Sequence, residues 1–180
     1  MNFLTEIEFK ILDFLHQNLS CTFFDYFFEF FTVLGDAGII WFIIGAVLIF
    51  TTKYRKGGIV MLCAMALGFL TGNLMIKPLI ARYRPCWIND AVQLIIEIPT
   101  DFSFPSGHTL SSVICCTVLG KVNRKFLIFA LPLTCLIAFS RLYLYVHFPT
   151  DVLFSVAYGF LVANLTWYLA KRFFHYPAID

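Results

Sequence analysis

Three short clusters of polar side chains lie at the predicted ends of apolar helices, and their residue types point to phosphate chemistry. The first occupies residues 77–85, the second is Pro105-Ser106-Gly107-His108, and the third occupies residues 140–151. Together they offer four cations, two imidazoles and a carboxylate. Cations hold phosphate oxygens, and an imidazole can attack or protonate near neutral pH. The set is therefore suited to gripping a phosphate and displacing its ester group.

The second cluster directly precedes an apolar stretch and has the form of a helix start. Ser106 is expected at the N-cap, and Gly107 lets an anion approach the backbone N–H groups at the positive helix end. His108 follows within the first turn and can face the same anion. Ser106 alone would indicate simple capping, so the interpretation as an anion cradle depends on His108.

The third cluster joins two apolar stretches. Arg141 ends one of them, and His147 with Asp151 opens the next. The four-residue step lets the carboxylate reach one ring nitrogen, which fixes the tautomer and raises the basicity of the other nitrogen. A histidine nucleophile needs that arrangement. A lone His–Asp pair is more often a structural hydrogen bond, so this interpretation also depends on the other clusters.

The elements that position these clusters are predicted to be membrane helices. Hydrophobic residues make up 60% of the 180 residues and charged residues only 13%, which is more apolar surface than a soluble domain can bury. Several apolar stretches approach the roughly 20 residues that cross a bilayer. We predict an all-α integral membrane bundle of about six transmembrane helices. It forms a single domain over residues 1–180, with a motif core at 77–151. The apolar stretches are residues 39–52, 57–76, 110–120, 126–140 and 152–170.

The number of spans depends on the N-terminal part of the chain. Residues 3–19 have amphipathic spacing and are expected on the cytoplasmic surface or at the start of the first span. Residues 21–34 carry Asp25 and Glu29 on one helix face, which should point into the bundle or the interface. Residues 35–38 are expected to form an outer turn. We favour six spans, with residues 21–34 crossing the bilayer, over five.

The distribution of basic residues predicts the orientation. Cytoplasmic loops collect Lys and Arg, and three basic groups fall between the predicted spans so that all lie on one face. The three clusters then lie on the extracytoplasmic face of a multi-pass protein of the cell membrane. Lys77, Arg82 and Arg84 depart from this trend, which indicates an anionic ligand at the outer face. The three basic groups are Lys53, Arg55, Lys56, Lys121, Arg124, Lys125, Lys171 and Arg172.

Other features exclude some classes of partner. The net charge of +2 and the lack of a basic stripe with exposed aromatics argue against nucleic acid. No coherent cluster of metal-ligating side chains is visible, so we expect neither a metal nor a cofactor. His16 and His175 have no comparable neighbours and are interpreted as interfacial. The spacing of Ala64, Gly68 and Gly72 predicts close helix packing.

The three clusters resemble the signatures of the type 2 phosphatidic acid phosphatase family, which are K-x6-R-P, P-S-G-H and S-R-x5-H-x3-D. The chain matches each defined position in order and spacing. Arg82 falls outside those positions and is a candidate headgroup contact only. The matching residues are Lys77, Arg84 and Pro85, then Pro105, Ser106, Gly107 and His108, then Ser140, Arg141, His147 and Asp151.

The resemblance implies metal-independent hydrolysis of a phosphate or diphosphate monoester on a lipid. It implies that His147 attacks phosphorus to form a phosphohistidine, that Asp151 orients it, and that His108 protonates the departing oxygen. It also implies a set of groups that bind the phosphate oxygens. These groups are Lys77, Arg84, Arg141, Ser106 and the backbone N–H of Gly107.

The substrate and competing functions stay open at this point. Undecaprenyl diphosphate is favoured over phosphatidylglycerol phosphate and phosphatidic acid, although no residue separates a prenyl tail from a diacylglycerol. The expected partners are this lipid and the bilayer, with no obligate protein partner. The non-enzymatic alternative is a protein that binds or transports an anionic lipid. Vanadium-dependent haloperoxidases share the motifs but resemble soluble proteins, which the composition argues against.

Overall fold

The computed structural model describes residues 3–174, whose regular structure is entirely helical. His175, interpreted as interfacial, lies outside the described residues. Short turns of 3₁₀-helix at Asp36–Gly38 and Arg124–Phe126, and a π-helical stretch at Phe69–Ile76, join the α-helices. The α-helices are α1 Phe3–Leu19, α2 Thr22–Gly35, α3 Ile39–Phe50, α4 Arg55–Gly68, α5 Lys77–Ile80, α6 Pro85–Ile88, α7 Gly107–Val122, α8 Leu127–Tyr143 and α9 Pro149–Phe174.

These helices form six helical segments in the described part of the chain, and four are long and apolar enough to cross a membrane. The other two segments are α1 and α7, with 17 and 16 residues. Large apolar side chains lie exposed along the outer faces, as a lipid solvent requires. The predicted fold class, an all-α membrane bundle, is confirmed. The four candidate spans are Thr22–Phe50, Arg55–Ile88, Arg124–Tyr143 and Pro149–Phe173.

The centre of the bundle is α7, which packs against α4, α8 and α9. Ten of its 16 residues are buried, because apolar side chains surround the whole helix rather than one face. Ser112 of α7 has a buried hydroxyl, and the indole N–H of Trp41 on α3 donates to its Oγ at 2.9 Å. The helix therefore fixes its first turn, which carries the second cluster, against three neighbours.

The expected outer turn at residues 35–38 is instead a kink within one long segment. Phe28 of α2 contacts Tyr143 of α8, and Gly35, two turns later, lies beside Ile137 of α8. The chain therefore runs along α8 away from the cluster end, and α3 continues in the same direction. The change of axis occurs at Ala37 and Gly38, which both have positive φ angles, of 50° and 69°. These two residues interrupt the helix and change its axis, but the chain does not turn back.

The first helix lies at the end of the bundle that carries the three clusters. Glu8 of α1 accepts hydrogen bonds from Thr150 at the start of α9, and Asp13 accepts one from Tyr145. The expectation that α1 lies on the surface opposite the three clusters is therefore wrong, and whether it begins a span stays a prediction. The reason is that Glu8 and Leu12 are both buried, and the residues that bury them lie at the cluster end.

The basic groups gather at the other end of the bundle. There the Asn123 side chain donates to the Tyr54 hydroxyl at 3.2 Å, and the rings of Tyr54 and Phe126 are in contact. These contacts join the α3–α4 loop to the α7–α8 junction. The two ends of the molecule therefore differ in chemistry. One carries the three clusters and the other carries most of the remaining positive charge.

Candidate active site

One large cavity, of about 1080 Å³, opens at the cluster end of the bundle. All three clusters contribute to its wall, which brings together residues that are up to 70 positions apart in the chain. Of the eight predicted site residues, Asp151 and Ser106 do not line it. The six that do are Lys77, Arg84, Gly107, His108, Arg141 and His147.

His147 lies in the short connection between α8 and α9 and is almost completely buried. Its Nε2 lies 3.2 Å from Arg84 Nη1. Because a guanidinium has no acceptor, Nε2 must carry the lone pair and Nδ1 the proton. Burial, followed by the positive charges of Arg84, Arg141 and Lys77, lowers the pKa of His147 well below its ordinary value. The imidazole is therefore neutral at pH 7, and the electron pair of its Nε2 accepts a hydrogen bond from Arg84.

Asp151 lies behind His147 in the first turn of α9, where a helix N-terminus stabilises negative charge. Its Oδ2 accepts the Phe148 N–H at 2.8 Å and the Ser103 hydroxyl, and it lies 3.6 Å from His147 Nδ1. That last distance exceeds a hydrogen bond, and Ser103 Oγ lies 3.5 Å from the same nitrogen. The predicted His–Asp pair is thus present, with a serine beside it.

Lys77 and Arg84 share one carboxylate from the loop that follows α6. Asp101 Oδ2 lies 2.5 Å from Lys77 Nζ, and its Oδ1 lies 2.6 Å from Arg84 Nη2. Arg84 Nε also donates to the Asp101 carbonyl oxygen at 2.7 Å. Partial burial raises the pKa of the Asp101 carboxyl, but the hydrogen bonds and charges of Lys77 and Arg84 outweigh it and lower the pKa to about 2. An anion therefore already bridges these two cations.

Arg141, at the end of α8, has unused hydrogen-bonding capacity. Its Nη1 donates to the Thr32 hydroxyl of α2, but its Nε has no hydrogen-bond partner among the described residues. The side chain is buried and lines the cavity. A buried unpaired donor is costly unless a ligand accepts from it. Arg141 therefore lines the cavity with a side chain that has one donor unused by the described residues.

Ser106 occupies the N-cap position of α7 as predicted, but its polar atoms are used inside the protein. Its N–H donates to Ser155 Oγ at 2.9 Å, and its hydroxyl accepts from Thr109 at 3.1 Å. The residue is completely buried. Gly107 does reach the cavity, and a Cβ there would lie only 3.0 Å from the Asn73 amide. Of the predicted cradle, the glycine is thus exposed to a ligand and the serine is not.

His108 faces the cavity from the first turn of α7. Its Nε2 lies 2.8 Å from Asp36 Oδ1, and because a carboxylate only accepts, Nε2 carries a proton. A Cβ on Gly35 would lie 2.7 Å from His108 Cδ2, so the glycine is what lets this ring approach the kink. His108 therefore has an N–H group that a carboxylate holds in place, in the same cavity as His147.

One part of the cavity wall is apolar and is formed by residues of α3, α4, the π-helical stretch and α7. Phe42 and Phe69 on this wall are 59% and 54% exposed on the outside of the bundle, where lipid would lie. The cavity thus joins a polar end to the lipid-facing surface. The apolar wall includes Phe42, Leu62, Met65, Phe69, Leu110 and Ile114.

The family model of the PAP2 superfamily matches residues 57–174, which include all three clusters. The chain belongs to the PAP2 superfamily. The matched residues begin in α4, so the first three helices of this PAP2 protein precede them.

Two curated relatives and one solved structure describe the similarity. The chain is 28% identical over 71% of its length to an undecaprenyl-diphosphatase of Sulfolobus acidocaldarius, and 35% identical over 73% of its length to phosphatidylglycerophosphatase B of Bacillus subtilis. It spans 62% and 64% of the lengths of these two proteins. A crystal structure of a transmembrane PAP2-type phosphatidylglycerolphosphate phosphatase from Bacillus subtilis superposes with a TM-score of 0.76 at 24% identity, covering 96% of this chain and 89% of the other. That last likeness shows the fold alone.

Several residues of the PAP2 site were missed from the sequence. Arg82 was expected only as a candidate headgroup contact, and its bond to the site was missed, because its Nη1 donates to Asp151 Oδ1 at 2.5 Å. Its departure from the charge distribution was the available signal. Asp101, Ser103 and Thr32 gave no signal, because an irregular loop and a separate helix bring them to the site from unrelated positions.

Proposed function

We propose that this protein hydrolyses a phosphate or diphosphate monoester of a lipid, with His147 as nucleophile. The observation that carries the proposal is the cavity described above, whose wall combines cations and two histidines with apolar side chains of helices that face the lipid. A lipid phosphate has the same two-part chemistry. Catalysis of phosphoryl transfer depends mainly on positioning and on charge stabilisation, which fixed cations supply.

The geometry assigns the two ring nitrogens of His147. Nε2 attacks phosphorus, because it carries the lone pair and faces Arg84. As the N–P bond forms, the bond from phosphorus to the leaving oxygen breaks, and that oxygen takes a proton from the imidazolium form of His108, which becomes neutral. The positive charge on His147 is stabilised by Asp151 beside Nδ1. Water then attacks the phosphohistidine and passes a proton to His108, which releases phosphate and restores both histidines.

The non-bridging oxygens are proposed to bind Lys77, Arg84 and Arg141. Arg141 offers its unpaired Nε, and the other two become available when the phosphate displaces Asp101. Gly107 supplies close backbone approach. Ser106 contributes through the position of α7 rather than by direct contact, since its polar atoms are engaged elsewhere.

Undecaprenyl diphosphate is the proposed substrate, with phosphatidylglycerol phosphate as the second candidate. The apolar wall of the cavity suits either tail, and the names of the two curated relatives each support one candidate. Phosphatidic acid has the same headgroup chemistry and belongs in the same test. We further propose that the reaction needs no metal or cofactor and no obligate protein partner, because charge and nucleophile are both supplied by side chains.

The site is proposed to face the extracytoplasmic side of the cell membrane. Eight Lys and Arg residues lie at the opposite end of the bundle, which the positive-inside rule places in the cytoplasm. Lipid phosphates exposed at the outer leaflet would then reach the apolar wall without crossing the bilayer.

The experiment is phosphate release by the purified full-length protein in detergent, with the three lipids at matched concentrations. His147→Ala is expected to reduce kcat on the order of a thousandfold or more, because the nucleophile is lost. His16→Ala is the matched control, since His16 lies at the same end on α1 and outside the cavity. Activity should persist in excess EDTA. Wild-type turnover by His147→Ala, or loss in EDTA that a divalent ion restores, would contradict the proposal.

The same experiment separates catalysis from simple lipid binding. A binding or transport protein would retain the lipid without releasing phosphate, and His147→Ala would leave retention unchanged. Release from one lipid with a clearly higher kcat/KM would assign the substrate class. Release from none of the three would contradict the proposed function.

A further inference from the structure

Arg82 connects the proposed catalytic pair to the first helix. Its Nη1 donates to Asp151 Oδ1 at 2.5 Å and to the Thr150 hydroxyl at 2.8 Å. Its Nη2 donates to Glu8 Oε2 at 2.5 Å. One guanidinium therefore binds two carboxylates, one from α1 and one from α9, in the fork geometry that only arginine provides.

Both carboxylates are buried, so each depends on its protein partners rather than on water. Asp151 is fully buried and Glu8 is 2% exposed. A buried carboxylate is costly unless charge and hydrogen bonds compensate it, so neither position tolerates loss of the arginine easily. The Arg82 guanidinium also lies 4.1 Å from the centre of the Phe148 ring, directly next to His147 in the chain.

Glu8 fixes the arginine from the far side. Its Oε1 accepts both the N–H and the hydroxyl of Thr150, at 3.2 Å and 2.5 Å, so it also binds the first turn of α9. Neither Arg82 nor Glu8 lines the cavity. They therefore act on the site only through Asp151 and the start of α9.

We infer that Arg82 and Glu8 are positioning residues that orient the Asp151 carboxylate toward His147. Arg82 holds Oδ1, which leaves Oδ2 to face Ser103 and His147 Nδ1. Without this restraint the carboxylate can rotate, and the imidazole loses the partner that keeps its proton on Nδ1 and its lone pair toward phosphorus. The first helix thereby becomes part of the active-site architecture. This inference rests on the proposed function.

The test uses full-length protein in detergent and the lipid that the wild-type protein turns over best. Arg82→Gln is expected to lower kcat about 10- to 100-fold, since a displaced catalytic group costs this much. KM and the inhibition constant of inorganic phosphate should stay within about twofold of wild type, because the cavity cations are intact. Arg82→Lys should recover part of kcat, and Glu8→Gln should show a smaller loss than Arg82→Gln. Glu6→Gln, an exposed change on the same helix, is the control.

The outcomes are separable. A purely structural role would raise KM and the phosphate inhibition constant together with the loss of kcat, and that result would overturn the inference. Unchanged kcat in both Arg82 variants would overturn it as well. Should Arg82→Gln fail to fold, Arg82→Lys and Glu8→Gln provide the test. The inference then requires that kcat falls in these variants while KM stays near its wild-type value. No release by the wild type, or full release by His147→Ala, instead contradicts the proposed function.

Discussion

Lys77 and Arg84 are each paired with the same carboxylate, so a phosphate can bind both only by displacing Asp101. The displaced side chain is 55% exposed and lies on the irregular loop before α7, which lets it move outward without unfolding a helix. Displacement exchanges one anion for another on the same two donors. The cost of that exchange therefore sets how tightly phosphate and its esters bind.

Asp101→Asn should strengthen phosphate binding. Loss of the negative charge removes the competitor of the ligand, and the inhibition constant of inorganic phosphate should fall roughly tenfold. The pKa of about 2 means that Asp101 is ionised throughout the range from pH 5 to 8, so the effect should be the same at both ends of it. Asp90→Asn, an exposed change on the same loop, is the control. An unchanged or higher constant would show that Asp101 does not compete with phosphate.

The ion pairs of Asp101 with Lys77 and Arg84 also stabilise the fold, and this contribution depends on pH in a definite direction. The pKa of Asp101 lies below its usual 3.8, so the pair stabilises the fold fully above about pH 4. That contribution is lost as the pH falls through about 2. Asp101→Asn should therefore lower the melting temperature at pH 7, because Lys77 and Arg84 then repel each other without a shared partner.

Individual residues of the site could be predicted where their chemistry was tied to spacing. The His147–Asp151 step and the cations at Lys77 and Arg84 fall at fixed intervals that a sequence displays. Asp101 pairs with cations 24 and 17 positions away through a loop with no periodicity, so no local pattern reveals it. Ser106 was predicted at the correct position, but the direction of its hydroxyl depends on Thr109 and on packing against α9.

Close helix packing around α4 follows from its small residues. The spacing of Ala64, Gly68 and Gly72 predicted it, and Cβ atoms on the two glycines would overlap the side chains of Ile114 and Leu110 on α7. A further glycine outside that pattern lies against backbone atoms rather than against side-chain ends. A Cβ on Gly58 would lie 2.7 Å from the backbone oxygen of Gly45 and 2.9 Å from the backbone nitrogen of Ile49 on α3.

Alanine substitutions at these glycines should therefore differ in effect. Gly58→Ala meets backbone atoms that cannot rotate away and should cost about 1–3 kcal/mol of stability. Gly68→Ala meets the end of the Ile114 side chain, which can change rotamer, and the higher helix propensity of alanine offsets part of the strain. Thermal unfolding in one detergent measures both. A larger loss for Gly68→Ala than for Gly58→Ala would contradict the α3–α4 contact.

Helices could be predicted from hydrophobic stretches, but their connections could not. A Gly-Asp-Ala-Gly segment between two apolar runs is typical of a turn, yet Ala37 and Gly38 only bend the chain. The side of α1 likewise depends on Glu8 finding Arg82 and Thr150, which are more than 70 residues away in the chain. Such tertiary contacts override the amphipathic pattern that the helix shows by itself.

For the whole molecule, the separation of charge predicts a definite orientation. Asp90 lies in the loop at the cluster end, and Lys125 lies at the basic end. With Cys21 replaced by Ser, Asp90→Cys should react with a membrane-impermeant maleimide in intact cells, whereas Lys125→Cys should react only after the cells are opened. The Cys21→Ser parent gives the background. The reverse pattern would place the proposed site in the cytoplasm and would contradict delivery from the outer leaflet.

The fold as a whole joins a charged pocket to a lipid-facing wall, and this combination leads to the central claim that His147 carries the phosphoryl group during turnover. The most direct measurement is rapid quenching of the reaction at alkaline pH, where phosphohistidine survives, followed by mass spectrometry of the peptide that contains residue 147. We expect a phosphoryl group on His147 in the wild type and none in His147→Ala. Steady release of phosphate with no modification at His147, or with modification of another residue, would contradict it.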